Sequence, residues 1–170
     1  MHKYYSYFSP KSEFKNSPVQ GIGLFATEFI PEGEIAFVYG GDIITEEETD
    51  AFPRSISDNF YHVCDNVYLG VPHLKSYGVN HSCSPNIGVQ GQTVFIARRD
   101  ILAGEELCFD YETTERYDGV WSMQCQCGSP ECRGTIDGNA WKDPEFQKRN
   151  EGFFSWYLQR KIDALKTGSL

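Results

Sequence analysis

Asn80-His81-Ser82-Cys83-Ser84-Pro85-Asn86 carries three kinds of chemistry in one short polar run. Asn80 and His81 offer directional hydrogen bonds to a polar ligand. Cys83 offers a thiolate for a metal, and Ser84-Pro85-Asn86 is turn chemistry that keeps the segment from continuing as a strand. The run alone means little. A strand-like stretch, an acidic-aromatic stretch (Gly104–Glu112) and a cysteine cluster (Cys125–Cys132) follow it, and that order decides the fold.

A chain of 170 residues suits one domain. At this size about 70% of the surface of the unfolded chain becomes buried. Aromatic residues make up 15% and there are 16 glycines, a mix that favours short strands and many turns over a helical bundle. The formal net charge of −9 argues against direct binding of nucleic acid, which needs clustered Lys and Arg. It fits a basic partner such as a Lys/Arg-rich peptide, and it also serves solubility. No apolar run is long enough to span a bilayer, and the N-terminus lacks the apolar core of a signal peptide. Six cysteines could form disulfides, but three are crowded into Cys125–Cys132, which fits a metal site in a reducing compartment. The expected location is intracellular and cytoplasmic.

Tyr4–Phe8 reads as a short first strand and Lys11–Pro18 as a polar loop. Gly21-Ile22-Gly23 lets the backbone turn or approach a ligand, without the third glycine of a dinucleotide fingerprint. Ile35–Tyr39 is a strand, and Thr45 with Glu48 forms a capping box for a helical turn over Glu46–Ala51. Phe60–Val63 and Val67–Val71 read as strands around an Asp65-Asn66 turn, and Gln92–Ala97 as another. Glu106–Tyr111 alternates, placing Leu107, Phe109 and Tyr111 on one strand face. From Phe153 on, apolar spacing predicts an amphipathic C-terminal helix.

Cys125-x-Cys127-x4-Cys132 is a knuckle with three ligands, whereas structural zinc takes four. Cys108, between Leu107 and Phe109, reads as a buried thiol. Cys64 beside a strand end is harder to exclude. Cys83, in the polar turn, is the preferred fourth ligand.

In this order, Gly21-Ile-Gly23, Tyr39-Gly-Gly41, Asn80–Asn86, Gly104–Tyr111 and Cys125–Gly134 resemble the SET-domain protein-lysine methyltransferases with a post-SET zinc knuckle. The resemblance implies a mainly β (α+β) fold of several small sheets around a pseudoknot. It divides the chain into an arm (1–18), a SET domain (19–114), a zinc knuckle (115–138) and a helical tail (139–170). It implies S-adenosyl-L-methionine as methyl donor, a lysine of a basic protein or histone-like tail as acceptor, and zinc held by the knuckle plus the motif cysteine.

By the same resemblance Tyr111 orients the amine, and Tyr39, Phe109 and Tyr111 line the lysine channel. Ile22, Gly23, Leu24, Tyr61, Asn80 and His81 bind the donor, the first three through backbone. Members with Phe at the position of Phe109 often add more than one methyl. The segment Ser76–Val79 departs from the histone-modifying members, so no donor contacts carry over there. A short insert between Asp42 and Asn80, and no cysteine-rich segment ahead of the domain, suggest a small stand-alone member. The competing readings are a SET fold that binds basic peptides without turnover and a zinc-knuckle interaction protein with no cofactor.

Overall fold

Glu106-Leu107-Cys108-Phe109 alternates in side-chain character, and Leu107 and Phe109 are both buried. This strand is the spine of the molecule. The computed structural model describes residues 6–57, 59–70, 78–115 and 121–168. Expected features at Tyr4, Tyr5, Val71, Ser76 and Tyr77 lie outside the described residues.

The strands run β1 (Tyr7–Phe8), β2 (Ser12–Asn16), β3 (Ile22–Ala26), β4 (Ile35–Val38), β5 (Asp42–Thr45), β6 (Tyr61–Cys64), β7 (Val67–Gly70), β8 (Asn80–His81), β9 (Ile87–Gln90), β10 (Val94–Ala97), β11 (Glu106–Phe109), β12 (Met123–Gln124) and β13 (Thr135–Ile136). They form four small sheets, ordered β1-β4-β10-β9, β2-β3-β11-β8, β5-β7-β6 and β12-β13. Every pairing is antiparallel except β8 with β11. The helices are α1 (Glu46–Thr49), α2 (Arg54–Ser57), α3 (Pro144–Arg149) and α4 (Trp156–Thr167). Among the described residues no helix is long and apolar enough to cross a membrane.

The polar run crosses β11 and completes its open edge. Asn80 and His81 pair in parallel with Cys108 and Phe109. Ser82 N–H then donates to Phe109 O at 3.0 Å, and Asn86 N–H to Cys108 O at 3.2 Å. The Asn86 side chain bridges what remains: Nδ2 donates to Glu106 O at 2.8 Å and Oδ1 accepts from Cys108 N–H at 2.9 Å. One buried amide stands in for a strand, which satisfies backbone groups that would otherwise be buried unpaired.

The main core is built on Leu24, Ile30, Phe37, Ile87, Val89, Phe95, Leu107 and Phe109. Phe37 stacks on Phe95 with centroids 4.2 Å apart, and Phe95 meets Phe109 at 4.8 Å. A second core of Trp141, Phe146, Phe154, Tyr157, Leu158 and Ile162 belongs to the C-terminal segment. That segment docks on the first unit. Ser155 N–H donates to Thr113 O, Trp156 N–H to Gly91 O, and Arg98 Nη1 to Asn150 Oδ1.

Several expectations hold. Glu48 caps Thr45 as a capping box, and Asn66 takes a positive φ (+61°) in the turn between β6 and β7. Others need correction. Ser12–Asn16, read as polar loop, is an edge strand paired along its length with β3; its outward face is exposed, so it lacks an apolar signature. Asn80-His81, read only for its hydrogen-bonding side chains, is a short strand. The alternation after Phe109 does not continue as strand: Tyr111 opens a 3-10 turn, Tyr111–Thr113, capped by Asp110. The tail has two helices, and α4 begins at Trp156 behind the Ser155 cap, not at Phe153. The signal for α3 was present in Asp143-Pro144-Glu145, a cap followed by proline at N1.

Candidate active site

Tyr111 stands where two cavities meet. It opens the 3-10 turn after β11, with its ring 4.9 Å from the Phe109 ring. The hydroxyl donates to Val79 O at 3.1 Å. Burial pushes its pKa well up, so it is a fixed dipole and not a base.

The first cavity is aromatic, lined by Phe37, Tyr39, Tyr61, Phe109, Tyr111 and Trp121 among others. Tyr39 stacks on Tyr61 with centroids 4.6 Å apart, and Tyr39 Oη donates to Asn59 O at 2.5 Å. The second is a cleft with polar walls. It is lined by Val19–Ile22, Gly78, Asn80, His81 and the knuckle segment with Cys125, Gln126 and Cys127. Asn59, Tyr111 and Trp121 line both, so the two spaces adjoin.

Asn80 builds a wall of the cleft: its Nδ2 reaches Gln20 O at 3.1 Å, Ile22 O at 3.3 Å and Glu106 Oε1 at 2.7 Å. Glu106 Oε2 accepts in turn from Ser17 Oγ at 2.9 Å. Gly78 admits no side chain, because a Cβ there would lie 2.2 Å from Ile22 O. His81 is buried, and its Nδ1 accepts from Tyr111 N–H at 3.2 Å, which leaves the proton on Nε2. Nε2 lies 3.3 Å from Cys83 Sγ. Burial lowers the His81 pKa to about 4, against a pull upward from Asp110, so the ring is neutral.

Cys83, Cys125, Cys127 and Cys132 present their sulfurs within 4.8 Å of one another, with Cys83 and Cys125 3.9 Å apart. Tetrahedral zinc with Zn–S of about 2.3 Å needs sulfurs about 3.8 Å apart, so the donor set fits. Second-sphere donors are in place: Nε2 of His81, and Arg133 N–H at 3.4 Å from Cys83 Sγ. Cys64 and Cys108 are not in the group; burial pushes the Cys108 thiol up to about 12. Ser84 Oγ and Ser129 Oγ, 2.7 Å apart, hold the polar turn against the knuckle. Arg133 anchors the knuckle with a bidentate pair to Asp110 (2.6 and 2.7 Å) and a bond to Glu112 Oε2 at 2.8 Å, both carboxylates being buried.

The structure thus brings Tyr39, Phe109 and Tyr111 to one cavity and Ile22, Asn80 and His81 to the adjoining cleft. Two residues expected to contact the donor, Leu24 and Tyr61, are not among those that line the cleft. Leu24 is fully buried in the core, paired to Phe14 on one side and Leu107 on the other. Tyr61 lines the aromatic cavity, with its hydroxyl turned to Gln92 O at 2.5 Å. Gly23 is the passage for the Glu106 carboxylate, since a Cβ there would lie 2.1 Å from Oε1. Sequence reading missed Asn59, Gly78, Glu115 and Trp121. Glu115 follows Tyr111 by one tight turn, Glu115 N–H donating to Tyr111 O, and both line the aromatic cavity.

The SET domain family matches residues 21–112, more than half of the chain. The chain is 30% identical over 136 residues to a histone-lysine N-methyltransferase, H3 lysine-4 specific, of Mycosarcoma maydis, covering 71% of this chain and 9% of that protein. It is 32% identical over 139 residues to the H3 lysine-4 specific enzyme of Schizosaccharomyces pombe, covering 73% and 15%. An H3 lysine-36 specific enzyme of Cryptococcus neoformans is 31% identical over 139 residues, covering 73% and 16%. The chain therefore spans less than a fifth of the length of these relatives. The family match, the small sheets crossed by Asn80–Asn86 and the four-cysteine group lead to one assignment: the chain belongs to the SET-domain family of protein-lysine methyltransferases.

Proposed function

We propose that this chain transfers a methyl group from S-adenosyl-L-methionine to the side chain of a lysine in a basic protein or histone-like tail. The observation that carries the reading is the junction at Tyr111, where an aromatic cavity and a polar cleft adjoin. When bound, the donor supplies an electrophilic methyl on a sulfonium. Gln20, Ile22, Asn80 and His81 would hold it in the cleft, a cavity of about 320 Å³, within the range of small-ligand sites. Tyr39, Phe109 and Tyr111 would take the lysine stem from the other side, the apolar walls favouring its uncharged amine. The residues supply alignment and fixed dipoles, and no covalent intermediate with the protein is required.

The four cysteines would hold a structural zinc that ties the polar turn to the knuckle. A net charge of −9 supports a basic acceptor by long-range attraction. The relatives are specific for different lysines of histone H3 at similar identity, so the chosen lysine is a property of this chain's own surface. The test is transfer of labelled methyl to arrayed lysine peptides, with calorimetry of S-adenosylhomocysteine. Binding and transfer are expected. Binding without transfer would make the chain a silent reader, and no binding would remove the donor site.

A further inference from the structure

We propose that the Glu115 carboxylate receives the substrate's lysine ammonium inside the aromatic cavity and takes its proton. This rests on the methyl-transfer reading and adds to it a base that Tyr111 cannot supply. Glu115 lines the cavity together with Tyr39, Tyr61, Phe109 and Tyr111, and is 9% exposed. No donor among the described residues reaches its Oε2. Burying a carboxylate oxygen without a donor is costly, and such an oxygen in the wall of a cavity suits an incoming cation.

The other groups facing it are tyrosines. The Tyr61 and Tyr111 hydroxyls donate to Gln92 O and Val79 O, and burial pushes both pKa values well up. Tyr68, which also feels the Glu115 charge, donates to Glu46 Oε2, and burial likewise raises it. Tyr39 donates to Asn59 O. No Lys, Arg, His or second carboxyl lines the cavity among the described residues. Burial raises Glu115 itself to about 8, within range of a useful base. A lysine suits this space at both ends, its stem against the rings and its charge against the carboxylate.

The step balances. A proton leaves Nζ for a carboxylate oxygen of Glu115, freeing the nitrogen lone pair. That pair forms the N–C bond as the S–C bond of the donor breaks with its electrons left on sulfur. The methylated amine leaves as a cation, and the Glu115 proton returns to solvent.

Two measurements test this. The first is a ¹³C NMR titration of the Glu115 carboxyl, assigned by its absence in E115Q, with and without n-butylammonium as a bare lysine side chain. We expect a midpoint near 8 in the free protein, lowered by at least about one unit when butylammonium saturates the cavity. An unchanged midpoint overturns the proposal without any reference to turnover.

The second is the pH dependence of kcat/KM on a lysine peptide. Wild type should level off near pH 8, where Glu115 ionises. E115Q should keep rising about tenfold per pH unit towards the lysine value of about 10. S-adenosylhomocysteine affinity should be unchanged, because Glu115 does not line the cleft. E115D, which keeps the acid, should retain the lower break at reduced rate, and serves if E115Q does not fold. The same break in wild type and E115Q overturns Glu115 as the acceptor while leaving the methyltransferase intact. A wild type inactive on every lysine peptide overturns the activity itself, and the proton transfer with it.

Discussion

Tyr111 and Glu115 share one tight turn and line one cavity, where on the proposed reading a hydroxyl dipole and a carboxyl would divide the work. Tyr111→Phe keeps the ring beside Phe109 and deletes only the hydroxyl. Methyl transfer should fall about 10²-fold, the usual scale for losing one preorganised donor, with S-adenosylhomocysteine affinity unchanged by calorimetry. Glu115 also leaves a mark on stability. Its folded pKa of about 8 lies above the ordinary glutamate value of 4.5, so the folded state binds the extra proton between those values. Its contribution is fully present below about pH 4.5 and is lost as pH rises through 8. E115Q lacks this dependence, so urea unfolding should show wild type losing stability relative to E115Q between pH 5 and pH 8. A constant difference across that range would mean that the carboxyl is not held neutral by burial.

At the scale of elements, the polar run and β11 depend on one another. Asn86→Leu keeps the volume but leaves Glu106 C=O and Cys108 N–H buried without partners, at about 1–3 kcal/mol each. Thermal unfolding should show that loss, and the crossing beside Tyr111 should loosen with it. The run's identity was legible in sequence because its chemistry is local, as was the knuckle, whose ligands sit at fixed spacing. β2 was not legible, because an edge strand with an exposed face carries no apolar period. Tyr111, which the structure sets at the junction of the two cavities, was not legible as part of a turn; Asp110, which caps that turn and accepts from Glu112 N–H, was the overlooked cue. Glu115 lay hidden in Glu112–Arg116, a run that looks like solvated charge until folding encloses its last carboxyl. Asn59 and Trp121 reach the site only through tertiary packing, and no local pattern announces them.

At the scale of the whole molecule, the cysteine group is also a wall of the cleft, since Cys125 and Cys127 line it. Purified protein should hold one zinc per chain by mass spectrometry under native conditions. Cys83→Ser or chelation should release the metal and weaken S-adenosylhomocysteine binding together, as expected when metal binding orders a segment. Full zinc retention in Cys83→Ser would require a different fourth ligand. The Arg133 pairs to Asp110 and Glu112 keep the knuckle in register with the 3-10 turn, and Glu112 Oε1 carries the link on to Asn139 N–H and Ala140 N–H. The tail is therefore mechanically continuous with the 3-10 turn that carries Tyr111. On the proposed methyl-transfer reading, the two compartments that adjoin at Tyr111 would let spent nucleoside depart while the peptide stays seated, so that exchange of one guest need not oblige the other to leave. In steady-state terms, S-adenosylhomocysteine should compete with the donor alone, and a tethered lysine can be visited repeatedly before its carrier diffuses away.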